Sequence, residues 1–446
     1  MSVRLLLIAG LLIQTALLSF YAVPGGAAEV LHFVAVNALL FCVSAFLVYL
    51  LRSRESGAEG GRKRLALIFA FAVLFRLTLV PHAPVASDDI YRYLWDGKVA
   101  SHGINPFEFA PDDPRLEHLA SETLPAKVSF PGMRTIYPPL AQGVFLVSHL
   151  LFGASVSGLK ILLVLADVSA MMLMVLLLGR LGIRREYLLL YGWSPLPIMY
   201  FGLDGHVDAL GIPFLLLMLL LLLGGRPVLG AVALGAAALA KFHPLFLAPL
   251  LFREAKGILR LVLPAIPLLM LVGGSILFLE PSGGLYESLL VFSSRWEFNG
   301  SVFVLLRLLL GSNELAHLLC WGLFAGLILW LAAVDRPFPE KVFLAFLGFF
   351  ILAPVVHPWY LTWLAALLVY RWSLAVFLFL GLSNLSNIVV FRYRALGLWE
   401  DDPLILLLEY VPFFVLLVWE IARGEFSREE SLRRLRMSEQ KLAVEG

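Results

Sequence analysis

Of the 446 residues, 60% are hydrophobic and only 15% are charged, and apolar runs of about 20 residues, the length that crosses a bilayer core, recur from end to end. The leucine run near Leu220 shows no alternation with a period of two, which excludes a closed β-barrel. The formal net charge of +2 leaves no nucleic-acid footprint, because the cations sit in short clusters between apolar runs.

These features predict an all-α polytopic integral membrane protein with about 11–14 transmembrane helices. The first run, Leu5 to Val23, precedes PGGAAEV, which has the flavour of a signal-peptide cleavage site, although a retained anchor is the commoner start of a multispan chain. Either choice sends the next span inward. Expected spans lie at about 4–23, 30–51, 64–81, 158–179, 187–203, 209–223, 228–251, 258–279, 314–334, 341–356, 359–370, 374–390 and 404–422. Apolar pieces near 140–153 and 301–310 are short enough to be interfacial or re-entrant. Basic clusters at Arg52–Arg64, Arg180–Arg185, Arg226, Arg253–Arg260 and Arg423–Lys441 all face the cytoplasm if those two pieces do not cross and the run 228–251 breaks at KFHP.

That register divides the chain into a two-span segment over 1–60, a membrane core over 61–422 containing an external loop over 82–139, and a charged cytoplasmic tail over 423–446. The other face then collects SDDIYRYLWDG, GINPF, TIYPPLAQ, DGHVD, KFHP, SSRWEFNGS and VVHPWY. Cys42 and Cys320 lie far apart within apolar runs, so neither a disulfide framework nor a metal motif is indicated.

In SDDIYRYLWDG, Ser87 is a suitable N-cap. A helix from Asp88 would place Asp89, Arg92, Tyr93 and Asp96 within about a third of its circumference, opposite Ile90, Tyr91, Leu94 and Trp95. This pattern predicts an amphipathic helix at the membrane surface, with Trp95 and the tyrosines at headgroup depth and Lys98 able to snorkel. An acid in a first helical turn also favours the helix dipole, but that role needs one carboxylate and two are present. A partly desolvated acid acquires a raised pKa and suits a general base for a hydroxyl; Asp89 is the candidate and Asp88 the alternative.

Other ionisable groups at membrane boundaries are candidates because they are expensive there. Asp204, His206 and Asp208 crowd into DGHVD; no second His or Cys cluster at ligand spacing makes them a zinc motif. Lys241 and His243 interrupt an apolar helix before Pro244 and suit an anionic head group. Arg295 suits bidentate phosphate binding, with Trp296 and Asn299 for a sugar. His357, Trp359 and Tyr360 read equally well as substrate contacts or an aromatic belt. Tyr137, beside two prolines that fix an extended chain entry, can point at the same site. Arg76 suits pairing or snorkelling, and Asp167 fits either packing or a head group. No P-loop, dinucleotide fingerprint or Gly-x-Ser-x-Gly motif is present, so no soluble nucleotide cofactor is implied.

With these motifs in order, SDDIYRYLWDGKVASHGINPFEFAPDDP, IYPPLAQ, GHVDAL, KFHPLFLAP and HPWYLTW, the chain resembles the C-type glycosyltransferases. In particular it resembles bacterial polyprenol-phosphate-mannose-dependent mannosyltransferases and their relatives around glycosyltransferase family 87, over about residues 65–370. The resemblance implies a polyprenyl-phosphate sugar donor, a lipid-linked or glycan acceptor, and an active site on the external face of the bacterial cytoplasmic membrane. It carries the catalytic base onto Asp89 and a lipid-phosphate pocket onto Arg134, Lys241, His243 and Arg295. No cofactor is required, and the Asp pair leaves a divalent metal open. The pair of spans ahead of the motif, where many members have one, departs from the pattern and leaves residues 1–60 without an assigned role. The rival class, a transporter or flippase, would show paired inverted halves with matching interruptions; none are visible.

Overall fold

The structure is a computed structural model and describes residues 2–53, 60–279 and 286–426. Most of the predicted cytoplasmic tail, residues 427–446, lies outside the described residues. Seven helices among those described are long and apolar enough to cross a membrane: Val3–Ala22, Ala27–Ser53, Val156–Arg180, Leu259–Ile276, Asn313–Ala333, Leu374–Leu396 and Pro403–Ala422. Shorter apolar helices are Pro139–Phe152, Asp208–Leu223, Pro227–Ala240 and Pro358–Leu368. The chain is an all-α polytopic membrane protein, and the only extended pairing among the described residues is an isolated bridge between Phe298 and Val355.

The fold divides into two compact units, residues 1–79, 168–199 and 298–446 in the first and residues 80–167 and 200–297 in the second. In the first unit, helix Val3–Leu18 starts where Ser2 Oγ accepts from the Leu5 amide, a capping arrangement for an orphan N–H. Leu6, Ile13 and Leu17 are buried while Ile8 and Leu11 are open, so one stripe packs on protein and the other is left for lipid. Arg76 is fully buried and donates to the carbonyls of Ala72 and Gly192 at 2.8 and 2.9 Å, which settles its role as internal pairing. The run 187–203, expected as one span, is instead a series of short turns, because Pro195 and Pro197 cannot sustain a helical ladder. Span Leu374–Leu396 carries a tighter turn at Ser383–Ser386, where Glu409 of the last span accepts from the Ser386 amide at 2.9 Å.

In the second unit the helix Asp89–Ser101 packs on Pro139–Phe152, and Gly97 marks their closest approach: a Cβ there would stand 2.3 Å from the Phe145 carbonyl oxygen. Tyr93 stacks on Phe145 at 4.7 Å. The turn Pro114–Leu119 also contacts this helix and buries Leu116 and Leu119. The expectation of an amphipathic helix at headgroup depth is thereby corrected. Ile90, Tyr91, Leu94 and Trp95 are all buried, Trp95 to 1% exposure, because neighbouring protein covers the face that the sequence pattern assigns to lipid.

Asp208–Leu223 and Pro227–Ala240 form a hairpin turned by Gly224 and Gly225, the latter at φ 69°. The run 228–251 breaks as expected at KFHP: Lys241 is extended (φ −153°, ψ 134°) and a tight helical stretch, His243–Arg253, follows.

Candidate active site

The strap 82–88 delivers the paired acids, and two buried charges hold its backbone. Asp204 Oδ1 accepts from the amides of Val85 and Ala86 at 2.7 and 3.1 Å, and Lys160 Nζ donates to the His82 carbonyl at 2.7 Å. Ser87 Oγ then accepts from the Asp89 amide at 3.3 Å. The helix consequently starts at Asp89, one residue later than Ser87 capping would give, with exposed Asp88 in the N-cap position.

The pentapeptide DGHVD surrounds Asp89 with different chemistry at each polar position. Gly205 has φ 74°, a left-handed backbone that favours glycine, and a Cβ there would lie 2.6 Å from Ile90 Cδ1. Its bareness lets the segment touch the helix that carries the acid. His206, 1% exposed, brings Nδ1 to 3.7 Å from Asp89 Oδ2. Asp208, fully buried, pairs through Oδ2 with Lys241 Nζ at 3.0 Å. The Lys241 ammonium also lies 5.9 Å from the centre of the Tyr137 ring, which meets Tyr93 edge-on at 4.8 Å.

Asp89 is hemmed in by protein although 34% of its side chain remains reachable. Burial is the main reason that its pKa rises from 3.8 to about 6; Lys241 opposes the rise, Asp208 and Asp88 add to it, and Arg92 opposes it. This is the direction expected when the charged form loses water. Burial also raises the Tyr93 hydroxyl well above its ordinary value, with Tyr137 and Asp89 adding to the effect.

Two of the predicted contacts have partners in the loop. Arg92 sends its guanidinium to the carbonyls of Ser129, Phe130 and Met133 at 3.1, 2.9 and 2.8 Å. Asp96, 2% exposed, accepts from Thr135 Oγ1 at 2.5 Å and Gln142 Nε2 at 3.0 Å, and burial raises its pKa against Arg92 and these bonds. Asp204, expected at substrate, holds the strap through Oδ1. Arg134 is half-buried, Arg295 is exposed at the end of helix Glu287–Arg295, and Trp296 leans on Phe130 and Phe292. His243 stacks on Phe246 with ring centres 6.4 Å apart.

The remaining candidates belong to the first unit. Asn299 is an internal strut, its amide donating to Asp401 and its Nδ2 to Glu409 at 2.8 Å. His357 lies between the rings of Phe298 and Trp359, 4.4 and 4.1 Å away, with Tyr360 edge-on at 5.4 Å. Lys160 and Glu409 escaped the sequence reading, although a lone charge inside an apolar run was the available signal. Among the described residues no group of three or more His, Cys, Asp and Glu could hold a metal ion.

Residues 6–253 match the sequence model of the MptA_B family, described as Alpha-(1->6)-mannopyranosyltransferase, N-terminal domain. The match starts well before residue 65 and so takes in the first two spans. It contains Asp88 through His243 of the candidate residues and ends before Arg295. A comparison with curated proteins found no match.

Proposed function

Because the chain belongs to the alpha-(1->6)-mannopyranosyltransferase family, we propose that it moves mannose from a polyprenyl-phosphate donor to a hydroxyl of a lipid-linked or glycan acceptor on the external face of the bacterial cytoplasmic membrane, with Asp89 as general base. The observation that carries this reading is the reachable Asp89 carboxylate, raised to about 6 and set beside His206 and the Lys241–Asp208 pair. A base with that pKa is ionised at neutral pH yet basic enough to take a hydroxyl proton as the oxygen attacks.

In the proposed step the acceptor oxygen forms a bond to the anomeric carbon while its proton passes to Asp89. The bond from that carbon to the phosphate oxygen breaks, and the electron pair leaves on the polyprenyl phosphate. One displacement inverts the centre, so a β-linked donor yields an α-mannoside. Lys241 is fixed by Asp208 close to the base and supplies positive potential for the departing phosphate, with Arg134, His243 and Arg295 as further cations for its head group. Asp204 and Lys160 keep the strap, and hence Asp89, in place during the step. Written this way the reaction needs no cofactor.

Transfer of radiolabelled mannose from polyprenyl-phosphate mannose to a membrane lipid extract tests the reading. Wild type and Asp88→Asn should both transfer, because Asp88 is exposed in the N-cap position, whereas Asp89→Asn should not. Equal transfer by all three would remove Asp89 from the chemistry.

A further inference from the structure

Phe130 adopts a left-handed backbone with φ 53°, a conformation costly to a bulky side chain, and its side chain is 59% exposed. A strained residue persists only where its surroundings over-determine it. Here the Phe130 carbonyl accepts from Arg92 Nη2 at 2.9 Å and from the Met133 amide at 3.0 Å, while Arg92 also grips Ser129 and Met133. The strain therefore serves to hold a ring outward and not to bury it.

That ring meets Trp296 edge-to-face, centres 5.0 Å apart at 79°, and Trp296 is backed by Phe292 at 5.4 Å. The two rings make an L-shaped aromatic corner. Its anchor, Arg92, stands one helical turn after Asp89 on the same helix, so a single guanidinium ties the corner to the turn bearing the base. Arg134 follows Phe130 by four residues and Arg295 directly precedes Trp296 in the chain.

An aromatic face carries negative potential, which attracts the polarised C–H face of a pyranose. A prenyl chain lacks such polarised C–H bonds. We propose that Phe130 and Trp296 form a subsite for the terminal pyranose of the acceptor. This assignment rests on the mannosyltransferase reading and names the part of the site that selects a sugar acceptor over a bare lipid alcohol.

The test uses the full chain in lipid nanodiscs with polyprenyl-phosphate mannose as donor and an alkyl α-(1→6)-mannobioside as acceptor. Phe130→Asn removes the ring but suits a left-handed backbone, so loss of folding does not account for its effect; Phe130→Tyr keeps the ring. The acceptor KM should rise about tenfold in Phe130→Asn, with a smaller change in kcat and in the donor KM, and return towards the wild-type value in Phe130→Tyr. An unchanged acceptor KM, or a rise confined to the donor KM, would overturn the subsite. Saturation-transfer NMR with free mannobiose decides the matter without turnover: a sugar signal that disappears in Phe130→Asn supports the platform, and a signal that persists there rejects it. If wild type transfers no mannose, the functional reading fails by itself while the NMR result still judges the corner.

Discussion

Replacing Asp89 by Asn should abolish transfer and, at the same time, make the protein slightly more stable at neutral pH. The folded pKa of about 6 lies above the ordinary 3.8, so the fold favours the protonated acid. The resulting stability is complete below the ordinary value and is lost as pH rises through about 6. Fully expressed, the difference amounts to about 3 kcal/mol; with 34% of the side chain accessible, solvent screening reduces it to about 1–2 kcal/mol. An anion in the first helical turn returns about 0.5 kcal/mol, leaving a net gain for Asp89→Asn of about 1 kcal/mol. In a chain of this length the gain is a rise in Tm of about 1–2 °C, measurable by intrinsic fluorescence in detergent, and it should vanish near pH 4. Loss of the base should lower kcat by about 10²–10⁴-fold. A variant that loses activity and also loses stability at neutral pH would mean that Asp89 is a structural anion, and the reasoning from its burial would fail.

Lys241→Met should move the acid limb of kcat/KM to higher pH and Asp208→Asn should move it lower, because the ammonium opposes and the carboxylate reinforces the raised Asp89 pKa; parallel shifts in the pH–rate profile would refute this. Lys241→Met also leaves Asp208 buried without its cation, costing about 3–5 kcal/mol, and thermal unfolding of the double variant Lys241→Met/Asp208→Asn should recover most of that loss. Asp204→Ala should strip the acceptor from two consecutive strap amides at about 1–3 kcal/mol each and lower kcat more than it raises the acceptor KM. Gly97→Ala should reduce expression and Tm, since its methyl group would meet the Phe145 backbone at a cost of about 1–3 kcal/mol or more.

Apolar runs made the helical membrane class legible, and proline made the break at KFHP legible, because both are local properties of the chain. The environment of helix Asp89–Ser101 was not. A periodic pattern states which residues share a face but not whether lipid or protein will cover it, and here protein buries Trp95 and its neighbours, with Gly205 against Ile90 and Lys127 over the Tyr91 ring. Arg92 and Asp96 were readable as polar groups on the face of Asp89, yet their commitment to loop carbonyls and to Thr135 and Gln142 depends on partners 37 to 46 positions away. The left-handed backbone of Phe130 was invisible for a related reason: the bonds from Arg92 impose it, and phenylalanine itself gives no sign of it.

The two acids at the start of that helix are divided by their surroundings. Asp88 occupies the cap position and is exposed. Asp89, one residue on, falls within reach of DGHVD, which holds the strap through Asp204, admits the helix through Gly205, lines the recess with His206 and fixes Lys241 through Asp208. Shifting the chain by one residue through that turn would put Asp88 in the place of Asp89. The grip of Asp204 and Lys160 on the strap therefore decides which carboxylate becomes basic, and loosening it should cost catalysis before it costs substrate binding.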